Sequence, residues 1–197
     1  MKKSKFLEGV TDWENHRMLL WEALEFTTGS VVEMGCGDGS TQQLHEYCKD
    51  NNRVLYSFET EPKYMDKFIY LESPNHKFFS INNDWDKVKD ICPNPSVILI
   101  DHAPGERRIV DVKRFCDSAE ILVCHDTQPP PTAADYGWEQ IWHLFKFKID
   151  LEVDKNYECD PPHNRTWASA VSNTIDVTKW IGKDTGRTDY RIVKNDR

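Results

Sequence analysis

Four short apolar-rich runs in this sequence stop abruptly: Val31 to Met34 on Gly35, Val54 to Phe58 on Glu59, Val97 to Ile100 on Asp101, and Ile121 to Cys124 on His125. Runs this short fit strands buried on both faces better than helices. A weaker fifth run covers Lys77 to Ile81. Helical patterns lie between the runs. Trp13 to Phe26 carries Trp13, Leu20, Trp21 and Leu24 among charges, with Thr11 and Asp12 as caps, and Pro62 to Leu71 opens with proline at a first-turn position. Thr41 to Asp50, Trp85 to Ile91 and Glu106 to Cys116 complete the set, the breaker run Pro93-Asn94-Pro95 closing the second of these. Strands alternating with helices specify an α/β fold, a mostly parallel sheet with helices on both faces. Ligands of such sheets bind beyond the carboxyl ends of the strands. The polar residues at the four tips are therefore the functional candidates.

The remainder of the chain reads differently. Gln128 to Pro131 is a rigid loop, followed by an expected helix over Ala133 to Leu144. Phe145 to Val153 then alternates apolar with polar residues, which is the period of a half-exposed strand. Thr166 to Val177 is its expected antiparallel partner, completing seven strands. At 197 residues the chain is expected to form one domain, with a core from 12 to 177 and a polar, basic, frayed tail from 178 to 197.

Charge and cysteine content narrow the partners. A net charge of -8, with no basic stripe interleaved with aromatics, argues against nucleic acid and favours a small neutral or basic substrate. No segment approaches the roughly 18 apolar residues of a membrane span. The six cysteines include no C-x-x-C pair, so neither a zinc ribbon nor a disulfide scaffold is indicated, and reduced thiols are expected. The basic start runs into Leu7-Glu8 without an apolar stretch, which predicts no signal peptide and a cytoplasmic location; Asn164-Arg165-Thr166 is then a chance sequon. Oligomeric state stays open, an unpaired edge at the final hairpin permitting a homodimer.

Glu33-Met34-Gly35-Cys36-Gly37-Asp38-Gly39-Ser40-Thr41 is the strongest local signal. Alternate glycines after a strand permit a tight turn and close approach to a ligand, while the next helix start presents free N–H groups. A dinucleotide fingerprint would place glycine where Ser40 stands, and the carboxylate of Glu33 would repel a pyrophosphate while attracting an ammonium. The loop thus favours a cationic amino-acid ligand over a nicotinamide dinucleotide. It resembles the E-x-G-x-G-x-G motif of class I S-adenosylmethionine-dependent methyltransferases. The resemblance extends from about residue 12 to 177 and implies a Rossmann-like sheet of seven strands with a C-terminal antiparallel hairpin. It implies that Glu33, Gly35, Cys36, Gly37, Gly39, Ser40 and Thr41 form the methionine end of the cofactor site. Glu59, at the tip of the second strand, would accept hydrogen bonds from the ribose hydroxyls. Asn83-Asp84-Trp85 follows the third strand, where the family holds the adenine edge; Asp84 would meet that edge, and Trp85 would stack on the base or serve as a core aromatic.

Asp101-His102 and His125-Asp126-Thr127 are similar to strand ends found in small methyltransferases related to the catechol-type O-methyltransferases. The resemblance implies methyl transfer from S-adenosylmethionine to an oxygen, less readily a nitrogen, of a small molecule. Asp101 and Asp126 match two acids that bind magnesium in the catechol type, whereas Thr127 replaces the third ligand, an Asn. The sequence therefore leaves the metal open. Removing the acceptor's proton calls for a base matched to neutral pH, and His102 and His125 are the candidates, with structural roles the alternative. Asp101 and Asp126 either act in catalysis or cap the following helices. Trp13 or Arg17 would close over the cofactor, or His16 and Arg17 would lie on a solvated face. Two other readings remain: a cofactor-binding protein without turnover, and a nicotinamide oxidoreductase.

Overall fold

Successive residues of β1 (Val31–Met34) face two different cores. Val31 joins Leu55, Val97, Leu99, Ile121 and Val123 against α2 (His16–Phe26) and α3 (Thr41–Asp50), while Val32 and Met34 join Phe58, Ile98, Ile100 and Leu122 against α6 (Arg108–Phe115). Strands buried on both faces are apolar at most positions, which is why they read as apolar-rich runs, and the buried Glu33 of β1 is held by hydroxyl donors. Each such residue contributes roughly 1.5–3 kcal/mol on burial. The structure is a computed structural model that describes residues 1–82, 84–128, 136–153 and 166–197, with only the backbone of Thr166 and Trp167.

One sheet has the order β3-β2-β1-β4-β5-β7-β6-β8, where β2 is Leu55–Glu59, β3 His76–Ser80, β4 Val97–Ile100, β5 Ile121–His125, β6 Phe147–Val153, β7 Thr166–Ser172 and β8 Tyr190–Lys194. The first five pair in parallel and the last three antiparallel. Strand order reverses beside β1, between β2 and β4, which is where a doubly wound sheet opens a crevice. Short helices α1 (Lys3–Phe6), α4 (Pro62–Phe68) and α5 (Lys87–Ile91) complete the set. Among the described residues, no helix is long and apolar enough to cross a membrane, and all five cysteines are free. Cys159 lies outside the described residues.

Three expectations are corrected. The sheet has eight strands because the tail does not fray: β8 pairs with the outer edge of β6, burying Tyr190 and Ile192. Asp150 of β6 anchors it, accepting from Asn195 Nδ2 at 3.0 Å and Arg197 Nη2 at 3.0 Å. The edge proposed for dimer pairing is thus already covered. The helix expected to end at Leu144 is, over its described part, two single 3-10 turns, Trp138–Gln140 and Trp142–Leu144. Trp138 and Trp142 stack at 5.8 Å and are both buried, so packing replaces the helical repeat. Its first residues, 133–135, lie outside the described residues, as do Asn83, the Pro129–Pro131 part of the rigid loop and the 154–165 segment. Finally, β7 stops at Ser172, whose hydroxyl oxygen accepts from the N–H of Thr174 and Ile175 and turns the chain.

Candidate functional site

The tips of β1, β2 and β4 enclose a cleft of about 300 Å3, at the small end of ligand pockets. Gly35, Cys36, Gly37, Glu59, Asp101 and Arg108 line it, with Tyr64 at one margin. Gly35 has φ +98°, and a Cβ there would lie 2.7 Å from the carbonyl oxygen of Asp101. Only glycine lets β1 turn this close to the end of β4.

Glu33 lies beneath the loop and not in the cleft. It is fully buried, accepting from Ser40 Oγ at 2.5 Å, Thr41 Oγ1 at 3.0 Å and Ser57 Oγ at 2.6 Å. Burial pushes its carboxyl up to about 7 despite these donors. Ser40 and Thr41 are spent on this anchor, and the Gly37 N–H donates to Thr41 Oγ1 at 2.9 Å. The role expected of Glu33 at the methionine end is thus replaced here by bracing of the loop. Gly39 faces the N-terminal segment instead, where a Cβ would meet Glu14 Cγ at 2.8 Å. Cys36 contributes its backbone, since burial raises its thiol well above the ordinary range.

Glu59 crosses from β2 to the glycine loop, where Cys36 N–H donates to its Oε2 at 2.9 Å. Its Oε1 accepts from Thr60 N–H at 2.6 Å and Glu61 N–H at 2.8 Å. A carboxylate has about four acceptor sites, so Oε2 keeps one for a ligand.

At the ends of β4 and β5 the structure gathers charged groups. His125 Nδ1 lies 3.0 Å from Asp101 Oδ1. Burial acts to raise the carboxyl, but His125 and Arg108 hold Asp101 well below the usual carboxylate range. Burial likewise works against protonation of His125, and Asp101 overcomes it, so the imidazole sits above its ordinary value. His16, from α2, meets the His125 ring edge-on at 4.5 Å. Burial, then the neighbouring His125 charge, lowers His16 to about 3, so it stays neutral. Among the described residues, His125 Nε2 and both His16 nitrogens are buried without a partner. His16, Asp101 and His125 bring one donor atom each within 4.8 Å of one another.

Arg108, in the first turn of α6, is the residue that sequence reasoning missed. Its Nη1 lies 2.9 Å from Asp126 Oδ2 and its Nη2 3.1 Å from Asp101 Oδ1. Its Nε donates to the His102 carbonyl at 2.8 Å and Nη1 to the His125 carbonyl at 3.1 Å. A signal was present: a cation in a first helical turn opposes the helix dipole and so calls for an acid partner. Magnesium does not fit between these acids, because the guanidinium already spans them. Thr127 is no substitute ligand, for it is fully buried with its hydroxyl accepting from Ser169 Oγ at 2.8 Å.

Other nominated residues stand elsewhere. His102 lines the cleft at the β4 turn, but its side chain has no exposed surface, stacks on Trp85 at 4.1 Å and lies 3.2 Å from the buried Asp111, so it braces that turn. Trp85 is likewise core, its Nε1 donating to the Ala103 carbonyl at 3.2 Å. Asp84 is exposed and pairs with Lys87. Neither lines the cleft, because the chain after β3 turns Trp85 inward. His16 and Arg17 form no solvated face. Arg17 is buried and donates to the Phe6 and Glu8 carbonyls, tying down α1. Trp13, 77% exposed on a turn capped by Thr11 and Glu14, remains free to meet a ligand.

No family model matches the sequence, and no curated protein matches it. Solved structures do. An O-methyltransferase from Bacillus cereus in complex with SAH is similar over 83% of this chain and 82% of its own, with a TM-score of 0.56 at 10% identity. An SAH-bound methyltransferase from Podospora anserina aligns over 81% and 78%, with a TM-score of 0.57 at 12% identity. A spermidine synthase in complex with the transition-state analogue AdoDATO aligns over 87% of this chain and 64% of its own, with a TM-score of 0.54 at 18% identity. At these identities the likeness is one of fold, and the fold is that of the class I methyltransferases.

Proposed function

We propose that this chain is an S-adenosylmethionine-dependent methyltransferase whose acceptor atom is an oxygen of a small molecule. The observation that carries the reading is Glu59 Oε2 bonded to the Cys36 N–H of the glycine loop, with an acceptor site to spare. That joins a ribose-reading carboxylate and a backbone cradle into one surface at the strand-order reversal. The structural neighbours bound to SAH support the same use of the fold.

S-adenosylmethionine supplies the methyl already activated on a sulfonium, so the protein's tasks are alignment, exclusion of water and removal of one proton. Gly35 and Gly37 let the backbone approach the ligand, and Glu59 fixes its sugar. When bound, the cofactor would supply the methyl with its sulfur as leaving group, so the task left to this chain's residues would be to take up the proton of the acceptor oxygen. Asp101 and His125 form the acid–base pair for that proton: the carboxylate orients Nδ1, and Nε2 carries no other partner. Neutral His16 beside it adds no charge to oppose transfer. His125 Nε2 is buried, so the acceptor must displace covering groups to reach it.

Isothermal titration with S-adenosylhomocysteine tests the reading. Micromolar binding by the wild type that is lost in Glu59→Ala and weakened in Glu59→Gln is expected. A folded wild type that binds none overturns the assignment.

A further inference from the structure

We propose that Arg108 occupies the place of a divalent cation at the β4 and β5 tips, so that this site works without magnesium. Acceptor activation in a site of two facing carboxylates ordinarily needs a cation to hold them together, since like charges so close repel. Here the cation is covalently part of the chain. The guanidinium is nearly buried and makes four polar contacts: two carboxylates, Asp101 and Asp126, and two carbonyls, those of His102 and His125. The Tyr136 ring lies 5.2 Å from its centre and covers it further.

The geometry suits a guanidinium and not a hard ion. Magnesium demands near-octahedral oxygen ligands and keeps several waters. Asp101 instead directs one oxygen, Oδ1, to both His125 and Arg108. Asp126 is held in a left-handed backbone conformation, φ +54°, and its carbonyl accepts from Trp138 Nε1 at 2.7 Å. That fixes the direction in which its carboxylate meets Nη1. Thr127, turned toward Ser169, offers no third oxygen ligand beside Asp101 and Asp126. A planar fork also orients both acids at once, which a point charge does not. Arg108 is accordingly a positioning residue. It holds Asp101 where His125 can use it, and in this respect the inference rests on the proposed function, whereas its claim about the cation does not.

The test reads cation binding directly. Calorimetric titration of the wild type with magnesium is expected to show no stoichiometric site. Arg108→Ala leaves both carboxylates without the guanidinium and is expected to gain manganese affinity over the wild type by about tenfold or more, because affinity follows the count of charged ligands. That gain should vanish in Arg108→Ala/Asp126→Asn and be suppressed by added methylguanidinium. Stoichiometric magnesium binding by the wild type, lost in Asp126→Asn, overturns the proposal, as does a folded Arg108→Ala that gains nothing. Should Arg108→Ala not fold, the wild-type titration alone decides. Binding of S-adenosylhomocysteine, measured on the same samples, fails or succeeds independently of these outcomes.

Discussion

Asp101 Oδ1 and His125 Nδ1 stand 3.0 Å apart, and each moves the other's titration, the carboxyl down and the imidazole up. The depressed carboxyl stabilises the fold above its unfolded value of about 3.9, and the raised imidazole does so below its unfolded value of about 6.5. The pair is therefore most stabilising between those two values. Its contribution fades as acid protonates Asp101 or as rising pH passes the folded-state value of His125. Asp101→Asn removes the partner and leaves burial as the larger influence on the imidazole. In an NMR titration, the His125 ring resonances should then shift their midpoint below the ordinary histidine value; an unchanged midpoint would refute the coupling.

His76 tests a second buried imidazole. Burial and then His45 lower it to about 3, and its Nε2 lies 2.9 Å from Ser57 Oγ. Below about 6.5 the unfolded chain takes up a proton that the native ring refuses, so stability falls with falling pH by up to about 1.4 kcal/mol per pH unit. In urea unfolding between pH 6.5 and 4, His76→Gln should lose stability more slowly than the wild type by that slope. Parallel curves would remove the basis for the shift.

Gly35→Ala puts a Cβ 2.7 Å from the Asp101 carbonyl oxygen at φ +98°. Backbone stands on the far side of that contact, so the cost should be about 3 kcal/mol, from strain and from spreading β1 and β4 apart. Thermal unfolding measures the loss, and S-adenosylhomocysteine affinity should drop with it.

Trp13→Ala removes a side chain 77% exposed and should change stability by less than about 0.5 kcal/mol. If Trp13 closes over the ligand, S-adenosylhomocysteine affinity weakens several-fold with no change in unfolding. Equal affinity leaves it a surface residue.

How much was legible differs by element. The parallel strands β1, β2, β4 and β5 were readable because they are largely buried on both faces, leaving apolar-rich runs whose ends mark the tips. β8 was not, since its apolar Tyr190, Ile192 and Val193 are interspersed with Arg191 and Lys194 in a stretch that also reads as a solvated tail. The glycine loop and Glu59 were legible from type and spacing. Glu33 was placed at the right strand end but faces the core and not the cleft, whereas for His102 and Trp85 the packing selects the structural alternative that the sequence left open, since a side chain near a tip can face either way.

The sequence by itself determined the alternation of strands and helices, the turn that only Gly35 permits, and which acids stand at the tips, because these follow from local period and steric freedom. Only the tertiary structure decided that Arg108 would span Asp101 and Asp126, that His16 would come up against His125, and that the last strand would close the sheet. Those pairings join residues 7 to 109 positions apart, down to His16 with His125 at the long end and Arg108 with Asp101 at the short. Their distances are set by how the helices pack on the sheet, which no local pattern encodes.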